Sequence, residues 1–195
     1  MKFAKFLIGV LVLCLVISSF VACEYGDNDA QASNGAQTQQ NEENNGRNTV
    51  DTATLGQKNA LQKAEEYLKY LALSKQGLIG QLEYEGFEEA DISYAMNNLN
   101  VDWKEQCYEK AKSYLKQSAF SKQALIEQLE FEEFEAADIS YAMDKLNVDW
   151  KEQCYEKAKS YLEYSAFSKQ GLIDQLEFEG FTNDQIAYAI EKVGY

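Results

Sequence analysis

The chain has 195 residues, room for one or two domains or a short repeat array, and its 32 Asp and Glu outweigh 18 Lys and Arg for a formal net charge of −14. A surface that acidic disfavours nucleic acid and anionic lipid and favours basic partners. Histidine and proline are absent, which removes the commonest general base and metal ligand and suits helices joined by short turns.

Residues 1–22 are predicted to be a secretory leader. Lys2 and Lys5 form a basic start, and the apolar run Phe6–Ala22 has 17 residues, short for a membrane span. The run ends Phe20-Val21-Ala22-Cys23, which resembles the lipobox of bacterial lipoproteins, with Phe20 where a leucine-like residue is usual. That resemblance implies that Cys23 is lipidated and becomes the new N-terminus, making the membrane a partner through a lipid anchor. Two acyl chains on one cysteine suffice for stable anchoring, whereas one is marginal. The alternatives are ordinary cleavage with a free Cys23, or an uncleaved anchor. Residues 23–59 are rich in Asn, Gln, Glu, Gly, Ser and Thr and nearly lack large apolar side chains. They cannot bury enough surface to offset ordering entropy, and are predicted to be a disordered tether spanning about 30–35 Å.

A unit of 47 residues then recurs, giving copies at 60–102, 103–149 and 150–195. Trp103–Lys122 and Trp150–Lys169 differ only at Lys116/Glu163 and Gln117/Tyr164. Such a period marks a tandem array. Each copy contains three amphipathic segments. Asp102 with Glu105 reads as a capping-box-like start to the first. Ser74, Ser121 and Ser168 cap the second. Gly86 and Gly180 fall where a left-handed residue ends that helix, and Glu133 takes this place in copy two at some conformational cost. Phe87, Phe134 and Phe181 follow and plug the turn. Ile139, Ala142, Met143 and Leu146 give the third segment its apolar stripe. In copy three Thr182 and Gln185 cap that segment. The expected fold is all-α: a tandem array of three three-helix, helix-turn-helix-like repeats after a disordered tether. One unit has a small core, so stacking between units is expected to add buried surface.

The helix-turn-helix shape invites a nucleic-acid reading, which the chemistry opposes. Copy two carries six Lys against ten acids, and the only arginine, Arg47, lies outside the repeats. No nucleophile–base set or EF-hand pattern is present, so no catalytic residue, metal or cofactor is assigned. Four cysteines occur; Cys14 lies in the leader. Cys107 and Cys154 stand where copy one has Ala60, as expected of small buried positions rather than a disulfide. Tyr67, Tyr114 and Tyr161, with Tyr94, Tyr141 and Tyr188, read as core-edge residues with wet hydroxyls. Trp103 and Trp150 mark the joints between copies. Acids crowd the second turn: Glu83, Glu85, Glu88, Glu89 and Asp91; Glu130, Glu132, Glu133, Glu135 and Asp138; Glu177, Glu179 and Asp184. Some favour the start of the third helix. As a set they are the candidate surface for a basic protein partner.

The motifs Tyr161-Leu162, Phe167-Ser168-Lys169, Gly171-Leu172-Ile173-Asp174-Gln175-Leu176-Glu177, Gly180-Phe181, Tyr188-Ala189 and the junction Val148-Asp149-Trp150 resemble the Ltp family. These are host cell surface-exposed lipoproteins of Gram-positive bacteria and their temperate phages. The resemblance covers about residues 60–195. It implies an extracytoplasmic lipoprotein on the cell membrane acting in superinfection exclusion, blocking DNA entry of an incoming phage by engaging its tape measure protein. The alternative is a structural or adhesive cell-surface lipoprotein binding wall or host components.

Overall fold

A computed structural model describes residues 53–195; the leader, Cys23 and the tether as far as residue 52 lie outside the described residues. Among the described residues there are nine helices and no strand. They are α1 Leu55–Tyr70, α2 Lys75–Tyr84, α3 Glu89–Asn98, α4 Trp103–Gln117, α5 Lys122–Phe131, α6 Ala136–Lys145, α7 Trp150–Tyr164, α8 Lys169–Phe178 and α9 Asn183–Lys192. None is long and apolar enough to cross a membrane.

The first helix begins at Leu55, inside the stretch predicted as tether. Thr54 is responsible: its hydroxyl accepts from Gln57 N at 3.1 Å, and Gln57 Oε1 accepts from Thr54 N at 3.0 Å. This capping box makes 55–59 helical despite their polar composition. The start of α4 departs from expectation in the opposite way. Asp102 accepts from Lys104 N and Glu105 N at 3.1 and 3.4 Å. Glu105 does not reach back, because its carboxylate is drawn to Lys145 Nζ at 2.6 Å on α6.

Within a copy the first and third helices pack along one another, with the second making smaller contacts to both. The reason lies in small residues on the facing stripes. Ala60 and Ala64 face Ala95 in copy one, Cys107 and Ala111 face Ala142 in copy two, and Cys154 and Ala158 face Ala189 in copy three, all fully buried. Helix axes approach as closely as the contact side chains allow. Two leucines of each second helix complete the core: Leu78 and Leu82, Leu125 and Leu129, Leu172 and Leu176, all fully buried. Each contributes about 1.5–3 kcal/mol through burial.

The cores are three separate clusters rather than one shared between stacked copies. Adjoining copies are joined by narrower contacts. Trp103 packs against the core of copy one and Trp150 against that of copy two, as the repeat pattern suggests. Between copies two and three, Phe120 N donates to Gln153 Oε1 at 3.2 Å. Ser121 Oγ donates to the Glu179 carbonyl at 2.6 Å while accepting from Ala124 N at 3.0 Å. Gln106, the counterpart of Gln153 one copy earlier, has its Oε1 buried without a hydrogen-bond partner.

Candidate functional site: the acidic turns

Each second helix stops the same way. Gly86 N donates to Glu83 O and Phe87 N to Leu82 O; Glu133 and Phe134, then Gly180 and Phe181, repeat both bonds. This is the Schellman arrangement, which needs a left-handed residue at its fifth position. Gly86 and Gly180 adopt φ of 85° and 84°, and Glu133 adopts 62°. A β-carbon makes that region unfavourable, so Glu133 carries the cost expected from its sequence position. Phe134 and Phe181 are buried, and Phe87 packs at the edge of its core, so the phenylalanine fixes the angle of the turn.

The turn divides its acids into two kinds. Glu85, Glu132 and Glu179 turn back to the first helix of their copy, Glu132 and Glu179 partly buried and Glu85 exposed. Tyr67, Tyr114 and Tyr161 donate their hydroxyls to these carboxylates, and accept from Gln81, Gln128 and Gln175 Nε2 at 3.2, 3.2 and 3.1 Å. Lys63, Lys110 and Lys157 lie 3.8, 2.7 and 3.3 Å from the same acids. These tyrosine hydroxyls are therefore engaged, not wet. Burial, and then the Glu85 carboxylate, pushes the Tyr67 phenol up; burial and then Glu179 do the same to Tyr161. The Glu132 carboxyl is also raised, because burial outweighs the pull of Lys110. These three acids hold the turn to the first helix, Glu132 and Glu179 from partly buried positions and Glu85 from an exposed one.

Two further acids serve helix starts. Asp91 sits against Gly56: a β-carbon there would lie 2.3 Å from Asp91 Oδ2, so Gly56 makes room for the carboxylate near the positive end of α1. Asp138 is buried beside Asp102, Trp103 and Lys104 at the start of α4. Its carboxyl is raised by burial and by Glu135, against an opposing pull from Lys104.

The remaining predicted acids are exposed: Glu83, Glu88 and Glu89 in copy one; Glu130, Glu133 and Glu135 in copy two; Glu177 and Asp184 in copy three. Between the acids at the end of each second helix stands an aromatic that sequence reasoning passed over. Tyr84, Phe131 and Phe178 are 79%, 50% and 61% exposed. Their signal was phase: each lies two residues beyond the last buried leucine and off its stripe. Carboxylates beside an exposed ring suit lysine and arginine side chains, which pair with the first and stack on the second.

A second device was also missed. Glu105 and Glu152 accept from Lys145 and Lys192, each at 2.6 Å, and from Tyr141 and Tyr188 at 3.4 and 3.1 Å. Lys145 and Lys192 also lie 4.3 and 4.1 Å from the rings of Tyr108 and Tyr155. The clasp joins the first helix of a copy to its third. The Glu152 carboxyl is lowered, chiefly by its hydrogen bond from Lys192. Cys107 and Cys154 are buried free thiols, both pushed up to about 12 by burial.

The family model of the host cell surface-exposed lipoprotein Ltp matches three times, over residues 56–99, 102–146 and 149–193. A solved structure of Ltp, a superinfection exclusion protein from the Streptococcus thermophilus temperate phage TP-J34, is similar over 49% of this chain and all of its own, at 28% identity with a TM-score of 0.47. Among curated proteins none matches this chain.

Proposed function

This chain belongs to the family of host cell surface-exposed lipoproteins, and on that footing we propose that it is a tethered binding protein whose exposed turns capture a basic segment of a protein partner. The observation that carries the reading is the division of acids within each turn. In each turn one carboxylate is tied to a tyrosine of the first helix, while an exposed acid and an exposed aromatic ring stand next to it in the chain, and this repeats in all three copies. A rigid presentation lowers the ordering cost of binding.

In this reading the leader is cleaved and Cys23 carries the lipid that holds the array on the outer face of the membrane. The role is superinfection exclusion, the property that the Ltp-like motifs imply, and the partner is the tape measure protein of an incoming phage. Blocking DNA entry by holding a basic stretch of that protein needs no bond-making chemistry.

The test compares cells expressing the intact chain with cells expressing a variant in which Glu83, Glu130 and Glu177 are changed to Gln. Phage adsorption and phage DNA entry are measured separately. The intact chain is expected to leave adsorption unchanged and suppress entry, and the variant to restore entry at equal surface abundance. Normal DNA entry across a panel of phages would sink the exclusion role, and binding to wall material in its place would support the adhesive alternative. Cys23→Ser is expected to release the protein from membranes, and continued retention would point to an uncleaved anchor.

A further inference from the structure

We propose that the chain associates head to tail with further copies of itself, the α2–α3 turn of one molecule seating on the Ser168 edge of the next. The contact already exists within the chain. The Glu179–Gly180 turn of copy three sits on the start of α5 in copy two, where Ser121 Oγ donates to Glu179 O at 2.6 Å. Gly180 lies so close that a β-carbon on it would stand 3.1 Å from Gln123 Cβ.

Burial of the capping serine records whether this seat is filled. Ser74 and Ser121 are 2% and 1% exposed, whereas Ser168 is exposed. Its local structure is the same: Ser168 Oγ accepts from Gly171 N at 3.1 Å, as Ser121 Oγ does from Ala124 N at 3.0 Å. The sequence Phe167-Ser168-Lys169-Gln170 repeats Phe120-Ser121-Lys122-Gln123. Among the described residues no turn covers the Ser168 seat; only Tyr195 touches its rim, its hydroxyl donating to Phe167 O and its carbonyl accepting from Lys169 Nζ at 3.4 Å, and Ser168 itself stays exposed.

The opposite end carries the matching part. Glu85-Gly86-Phe87 has the sequence of Glu179-Gly180-Phe181 and the same left-handed glycine, and among the described residues nothing lies within 4 Å of a β-carbon built on Gly86. Seat and turn are different surfaces, so the contact is heterologous and extends into open chains instead of closing as a two-fold dimer. Copy one has Gly56 where the later copies have Trp103 and Trp150, so the contact between molecules lacks the tryptophan of the covalent joints. Assembly is accordingly weaker than the joints and depends on concentration.

The test uses the full chain on cells, carrying Gly86→Cys together with Gln170→Cys, under mild oxidation. Gly86 tolerates a side chain because Glu133 holds the equivalent position at φ 62°. The in-chain pair Gln123→Cys with Gly180→Cys, whose β-carbons stand near disulfide range, is the geometric control. The expected result is a ladder of dimers, trimers and longer species. It should be missing from the unsubstituted chain and reduced at least tenfold by adding Ser168→Arg, which fills the seat. Monomers alone, under conditions where the control pair closes fully, would overturn the proposal. So would a ladder that persists with Ser168→Arg.

Discussion

Changing Tyr114 to Phe removes a single oxygen from the middle copy, and the three copies make this a graded experiment. The hydroxyl donates to Glu132 and accepts from Gln128, while Lys110 stays 2.7 Å from the carboxylate. A hydrogen bond to a charged group contributes about 1.5–3 kcal/mol, and Glu132 keeps its lysine, so a loss of about 1.5–2 kcal/mol is expected. Tyr161→Phe should cost the same, since the Glu179 side chain has the same 18% exposure and Lys157 lies at 3.3 Å. Tyr67→Phe should cost less, about 0.5–1 kcal/mol. There the Glu85 side chain is 33% exposed and Lys63 is 3.8 Å away, so water replaces the hydroxyl more readily. Because each copy closes its own core, native-state hydrogen exchange at the amides of Gly86, Glu133 and Gly180 reads each opening separately. The expected loss of protection is about ten- to thirty-fold in copies two and three and a few-fold in copy one. Equal losses in all three copies, or less than about twofold in copy two, would refute the claim that these acids hold their turns to the first helix in proportion to their burial.

Thiol reagents at about pH 8 should leave Cys107 and Cys154 unlabelled in the native protein and modify both after denaturation, because burial raises both thiols to about 12; native labelling at the rate of a free thiol would contradict their placement. Gln106→Met should stabilise the protein slightly, by up to about 1 kcal/mol, since it removes a buried acceptor that has no partner. Gln153→Met should instead destabilise by about 1 kcal/mol, because it breaks the bond from Phe120 N; urea midpoints of the pair decide this, and matching signs would count against it. The lowered Glu152 carboxyl contributes stability that is present above its unfolded pKa and lost as pH falls through the folded one. Melting curves of Glu152→Gln and the parent should therefore differ near neutral pH and converge as pH falls below the ordinary glutamate range of about 4.3; a constant gap would show that the clasp is not charge-dependent.

Short-range signals were legible in the sequence. The serine caps, the left-handed glycines, Glu133 in a glycine's place and the tryptophans at the joints each follow from a few adjacent residues. What escaped was set by contacts across the bundle. Composition marks Glu130 and Glu132 as one acidic run, yet Glu132 is partly buried against Tyr114 and Glu130 is exposed. The clue was the constant 18-residue separation of tyrosine and glutamate in every copy. Glu105 reads as half of a capping box until Lys145, forty residues on, offers it a stronger partner. The tether boundary was misplaced because a polar helix start resembles a polar linker until its cap is recognised. The buried surface expected from stacking is present but narrow, confined to joints such as those of Trp103 and Trp150, because the alanine and cysteine stripes bring first and third helices together inside each copy.

Separate cores have a genetic consequence. A copy that completes its own interior can be gained or lost whole, at the expense of one tryptophan joint and one seated turn, without redesigning the remainder. The near-identity of Trp103–Lys122 and Trp150–Lys169 is the kind of match along which recombination slips by one unit. Array length is then free to vary among descendants of the same gene. The number of presented turns then changes in steps of 47 residues, while each unit's architecture stays the same.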